Sequence, residues 1–137
     1  MLNRDEIKKI LPHREPMLLV DEAYVAEDGR AHGFYTVKGD EFFLQGHFPG
    51  NPVVPGVILC EIMAQSASVL LSGKLNGKTP FFSSLDGVKF KNPVRPGDTI
   101  ETVVGITKER MPFVFAEGSG FVNGRLCVKA SFSFAIV

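Results

Sequence analysis

Two side chains in this sequence are suited to moving protons near neutral pH, and they stand fourteen positions apart: His47 and Glu61. Imidazole is the side chain whose ordinary titration falls between pH 5 and 8. A carboxyl among apolar neighbours is favoured in its neutral, proton-donating form. Glu61 has such neighbours, because it is the one charged residue in the run from Gly56 to Ser72. An isolated buried carboxylate is costly, so Glu61 must be protonated, paired, or facing a wet cavity. A third group lies between them. A helix beginning near Gly56 presents backbone N–H groups with no helical partner, and its dipole favours negative charge there. Such amides can hold a developing oxyanion. Each group has a plain reading when taken singly: a loop histidine is usually solvated, and a helix acid can sit at a subunit interface beside a polar partner. Together they describe acid–base chemistry on a substrate that passes through an oxyanion.

The elements that must position these groups are legible around them. In Gly46–Gly56, Pro49, Pro52 and Pro55 recur at every third position, which predicts an extended, stiff loop. His47 opens that run and cannot share a helical face with Glu61. A helix is predicted over Gly56–Ser72, about 25 Å long. Pro55 suits its first turn, and Gly73 suits a left-handed stop. It is apolar on nearly every side, which marks a buried element. It is too short and too interrupted for a good membrane span, which needs about 20 apolar residues. At about 100° per residue, Glu61, Gln65, Ser68 and Ser72 fall on one narrow stripe.

Before the loop, Asn3 and Glu6 have capping-box spacing, predicting a short helix through about Ile10 that Leu11-Pro12 ends. His13 and Arg14 follow in an irregular segment, where a structural hydrogen bond or surface charge is the plainer reading. Strands are predicted over Met17–Val25 and Ala31–Lys38, turned by Asp28-Gly29. Beyond the helix, Asn76-Gly77 turns into a strand over Phe81–Lys91, and Arg95-Pro96-Gly97-Asp98 turns into Thr99–Lys108. Phe113–Val122 is strand-like, Asn123-Gly124 is a hairpin turn, and the last strand alternates. Its apolar face carries Leu126, Val128, Ala130, Phe132, Phe134 and Ile136; Cys127, Lys129, Ser131, Ser133 and Ala135 fall on the other. One apolar and one mixed face fit an antiparallel sheet closed on a single helix, an α+β class.

Composition narrows the remaining choices. At 137 residues the chain is expected to be one domain, 1–137, with one core. Fifteen basic residues balance fifteen acidic ones, so no global field and no basic stripe advertises nucleic acid or a membrane surface. Cys60 and Cys127 show neither metal spacing nor a disulfide framework and read as reduced structural thiols. No basic-plus-apolar leader is seen, so a soluble, cytoplasmic protein is expected.

Several stretches, taken in order, carry a family resemblance. Leu11-Pro12-His13-Arg14-Glu15-Pro16-Met17-Leu18-Leu19-Val20-Asp21 is followed by Gly46-His47-Phe48-Pro49-Gly50, then Pro55-Gly56-Val57 with Glu61 and Ala64-Gln65. With Val88-Lys89-Phe90-Lys91-Asn92-Pro93-Val94-Arg95-Pro96-Gly97-Asp98, this series resembles the FabZ-type 3-hydroxyacyl-acyl-carrier-protein dehydratases over essentially the whole chain. The resemblance implies a hot-dog fold, in which a long central helix is wrapped by a curved antiparallel sheet. It also implies a homodimer, often assembled into a hexamer, with each site built across the dimer interface.

For activity, the resemblance implies dehydration of (3R)-hydroxyacyl-acyl-carrier-protein to the trans-2-enoyl product in type II fatty acid biosynthesis. It assigns His47 and Glu61 to acid–base work and the backbone N–H near Gly56 to the thioester oxygen. Gln65 follows the acid as a supporting residue that orients it or simply packs the helix. No metal or organic cofactor is expected, because the thioester itself acidifies the C2 proton. Phe48, Phe81 and Phe82 are acyl-pocket candidates, although core packing is the more frequent fate of Phe. Phe81 or Phe82 stands where the family commonly has a tyrosine. Lys89, Lys91 and Arg95 are candidates to meet an acidic acyl carrier protein. Alternatives are a dehydratase that also isomerises to the cis-3-enoyl product, a hot-dog thioesterase, and a non-catalytic acyl-thioester-binding domain. The last would not need both His47 and Glu61.

Overall fold

A computed structural model describes residues 1–137. Its centre is helix α2, Gly56–Ser68, which lies against one six-stranded sheet. The strands are β1 (Glu22–Val25), β2 (Ala31–Thr36), β3 (Pro80–Phe90), β4 (Thr99–Arg110), β5 (Phe113–Val122) and β6 (Arg125–Ile136). They lie in the order β1-β2-β4-β5-β6-β3, every pair antiparallel. A short helix α1 (Arg4–Lys8) precedes them, capped by the Asn3–Glu6 box.

Alternation along the strands puts one face of the sheet on α2. Ile100, Thr102 and Val104 of β4, Val114 and Ala116 of β5, and Val128, Ala130, Phe132 and Phe134 of β6 are all buried. They join Leu59, Ile62, Met63 and Ala67 of α2 in the main core. The helix sits close to the sheet because β2 carries Gly33 opposite Ser66: a Cβ there would run into the serine Oγ. Ser66 is buried but satisfied, donating to Ile62 O and accepting from Thr102 Oγ1. A smaller core of Ile7, Leu11, Leu18, Val20, Ala23 and Val69 ties the N-terminal segment to the far end of the helix.

The turn signals hold. Gly29, Asn76, Gly77, Asn123 and Gly124 all adopt positive φ, the conformation for which Gly and Asn are selected. Three expectations change. The strand expected from Met17 starts only at Glu22, because Leu18, Leu19 and Val20 are buried as irregular chain. The α-helix ends at Ser68, and Val69–Leu71 tightens into a 3₁₀ turn before Gly73 takes its left-handed φ of 78°. That change of pitch carries Ser72 off the Glu61 stripe. On β6, Cys127 and Ser133 are buried although they lie on the mixed face, and Ser133 bonds the hydroxyls of Ser83 and Ser84 at 2.6 Å each.

Candidate active site

The loop before α2 is fastened at both ends. At its start, the Glu41 carboxylate accepts from Tyr35 OH at 2.6 Å and from the N–H groups of Lys38 and Gly39. Burial works against ionising Glu41, but these donors outweigh it and hold the carboxyl below its ordinary range. The same contact pushes the Tyr35 hydroxyl up, together with its burial. At the far end, Val54 N–H donates to Val94 O, and Arg95 donates to Asn51 Oδ1 at 2.6 Å.

Between these fastenings the loop is less extended than proline spacing predicts. Pro49-Gly50 forms a tight turn closed by exchanged hydrogen bonds between Phe48 and Asn51, with Gly50 at φ 71°. Only the stretch after Pro52 runs out straight. His47 closes the base of this turn twice. Its carbonyl accepts from Val53 N–H at 2.9 Å, and its ring Nδ1 lies 3.0 Å from Val53 O. A carbonyl oxygen accepts only, so Nδ1 carries a hydrogen, and in the neutral ring the lone pair is on Nε2. Phe48 stacks on the imidazole, ring centroids 4.0 Å apart.

Gly56 opens α2. Ile58 and Leu59 N–H bond back to Pro55 O, so the amides of Gly56 and Val57 precede the first helical bonds. Gly56 lines an open groove with Val53, Leu59 and Phe90, and the Phe90 ring stands where a Cβ at residue 56 would fall, 2.6 Å away.

Glu61 opens into a different hollow of the same chain, a pocket of about 240 Å³ lined by Glu61, Gln65, Ser68, His13, Phe81, Phe82 and Phe134, among others. Three members of the expected helical stripe thus share one cavity. Gln65 is 1% exposed and fully engaged. Its Oε1 accepts from Leu19 N–H at 2.7 Å, and its Nε2 donates to Met17 O at 2.7 Å and to Glu61 Oε2 at 2.8 Å. Leu19 N–H fixes which way the amide faces, so Gln65 orients the acid. The segment 17–19, exposed at Met17 and buried from Leu18, therefore has side-chain hydrogen bonds where a strand would have had a neighbour.

His13 lies 3.4 Å from Glu61 Oε2 through Nε2, and its Nδ1 is buried without a partner. Sequence reasoning left this histidine among surface or structural groups. No periodicity links positions 13 and 61; a histidine placed just after a helix-ending Pro was the only signal. Phe81 and Phe82 line the Glu61 pocket, whereas Phe48 stacks on His47. Within one chain, Glu61 belongs to one hollow, Gly56 to another, and His47 bonds to Val53 on the rim of the second.

A central helix wrapped by one curved antiparallel sheet defines a hot-dog protein. A family model described as a FabA-like domain matches residues 11–131. The chain belongs to the FabZ-type dehydratases of the FabA-like family. It is 42% identical over 138 residues to the 3-hydroxyacyl-acyl-carrier-protein dehydratase FabZ of Clostridium perfringens, covering 99% of each chain. It is 45% identical to the FabZ of Thermomicrobium roseum, over 100% of this chain and 94% of that one. Among solved structures, the dehydratase heterocomplex ApeI:P from Xenorhabdus doucetiae superposes with a TM-score of 0.81 at 20% identity, over 96% of this chain and 90% of that one. A hypothetical thioesterase from Streptococcus pneumoniae, solved with coenzyme A, superposes at 0.64 and 14% identity, over 85% and 84%. At these identities the solved structures speak for the hot-dog fold alone.

Proposed function

We propose that this chain dehydrates (3R)-hydroxyacyl-acyl-carrier-protein to the trans-2-enoyl thioester, with His47 as base and Glu61 as acid. The observation that carries the residue assignment is the His47 ring, whose Nδ1–H is committed to Val53 O and whose Nε2 is left to accept a proton. His47 Nε2 takes the C2 proton, and the Gly56 N–H at the start of α2 steadies the charge that forms on the thioester oxygen. Glu61 gives its proton to the departing 3-hydroxyl, which leaves as water. The thioester makes C2 acidic enough for this to proceed without a metal.

The two halves of this site come from different subunits: His47 and Gly56 from one, Glu61 of the partner subunit from the other. In support, within one chain Glu61 and Gly56 line separate hollows, and His47 bonds to Val53 of the Gly56 groove and lies outside the Glu61 pocket. A homodimer is the natural cover for the apolar side chains left exposed on edge strand β3 and the first turn of α2, among them Phe81, Leu85, Phe90 and Val57. Residues 1–137 act as one domain, and assembly continues to a trimer of dimers. The acyl carrier protein docks near Lys89, Lys91 and Arg95. No helix is long and apolar enough to cross a membrane, and the cytoplasm is the proposed location.

Mixing His47→Asn with Glu61→Gln under subunit exchange tests the shared site. Each mixed dimer regains one intact pair, so dehydration of 3-hydroxyacyl-carrier-protein, followed by chromatography of the enoyl product, recovers. Proven exchange with no recovery rejects the shared site.

A further inference from the structure

We propose that His13 is a positioning residue for the acid: with Gln65 it holds one oxygen of the Glu61 carboxyl, leaving the other to work on the substrate. This rests on the dehydratase reading above. The Gln65 hydrogen bond and the His13 contact both fall on Oε2. Oε2 already accepts the Gln65 amide and has the His13 ring beside it, a poor place for a proton, so the transferable proton falls on Oε1.

The orientation of His13 follows from its surroundings. Its Nδ1 is buried with no partner, so a hydrogen there would be a buried, unpaired N–H. With the hydrogen on Nε2 the ring brings its donor to 3.4 Å from Glu61 Oε2, outside hydrogen-bond geometry in this conformation, and leaves only a lone pair unsatisfied on Nδ1. The 3.4 Å separation is longer than a good hydrogen bond, and contacts of this kind in empty sites tighten when substrate binds. The segment that carries the ring is held in turn by Arg14, which donates to Leu11 O at 2.9 Å, His13 O at 2.7 Å and Lys8 O at 3.2 Å. His13 thus sits on a tethered segment with its Nε2 beside one oxygen of Glu61.

The test compares His13→Leu, His13→Asn and His13→Gln with the wild type and Glu61→Gln on 3-hydroxybutyryl-carrier-protein, resolving kcat from KM. Glutamine can return an N–H close to the site of Nε2, whereas asparagine falls short of it. We expect His13→Leu and His13→Asn to lose roughly 10- to 100-fold in kcat, the scale of a misplaced catalytic group, with KM within about threefold. His13→Gln should recover most of that loss, and all three variants should share the oligomer size and unfolding midpoint of the wild type. Undiminished kcat in His13→Asn overturns the proposal, and so does a His13→Gln that folds normally yet is as slow as His13→Asn. If the wild type shows no dehydration, or Glu61→Gln matches it, the dehydratase reading itself fails and this proposal falls with it.

Discussion

His47 and Val53 bond to each other twice, backbone to backbone and ring to carbonyl, so the fold of the loop and the tautomer of the neutral ring are tied together. The carbonyl that fixes the tautomer belongs to the residue that closes the turn.

That relationship separates folding from chemistry at position 47. In His47→Asn the shorter amide still offers an N–H near the place of Nδ1, so the loop keeps its closure while the base is gone. Turnover should fall by about 10²- to 10⁴-fold, with an unfolding midpoint within a few degrees of the wild type by calorimetry. A large drop in stability would show that the ring contributes mainly to the fold.

Gln65 gives the opposite pattern. Replacing it with leucine leaves Leu19 N–H buried without a partner, at about 1–3 kcal/mol, while Met17 O lies where water can reach it. Denaturant unfolding of Gln65→Leu should show a loss of about 1–3 kcal/mol, and kcat should fall as Glu61 loses its orientation. Stability unchanged within experimental error would mean that water or a shift of the 17–20 segment replaces the amide.

At Gly56 the obstacle to a side chain is the Phe90 ring, and that ring is about half exposed and free to swing. Gly56→Ala should therefore fold, yet lose activity as the ring moves into the groove beside the helix amides. The double variant with Phe90→Ala should regain part of the lost kcat/KM. Equal inactivity in single and double variants would place the damage at the amides.

The Glu41 carboxyl has a lower pKa folded than unfolded, so its contribution to stability is present above the unfolded value, about 4.3, and is lost as pH falls through the folded one. Glu41→Gln should lower the melting temperature at pH 7. The gap from the wild type should close as the pH drops below 4.3 toward the depressed folded value. A gap that stays constant down to strongly acidic pH would assign the effect to packing.

What could be read from the sequence divides along physical lines. Positions that demand a special backbone announced themselves, as Asn76-Gly77, Asn123-Gly124 and Gly73 show. So did the long alternating strands, because one face must be apolar along its whole length, and β5 begins and ends where its pattern does. The run Met17–Val20 misled because burial looks the same whether a sheet or a glutamine satisfies the backbone. Ser72 left its stripe because a tightened last turn changes the angle per residue. His13 beside Glu61 is a contact across 48 positions between an irregular segment and a helix, and no local rule reaches that far. His47 and Glu61 could be singled out from residue type and order; that Glu61 opens into a pocket with His13 while Gly56 lines a separate groove required coordinates.

Gln65 also couples the acid to the first twenty residues of the chain. Leu18 and Val20 pack in the small core with Ile7 and Leu11, and their neighbours Met17 and Leu19 hold the Gln65 amide, so a disturbance of that core is expected to reach the carboxyl through Gln65. An affinity tag fused ahead of Met1 is thus a kinetic intervention, and rate constants should be taken from protein tagged at the other terminus or cleaved.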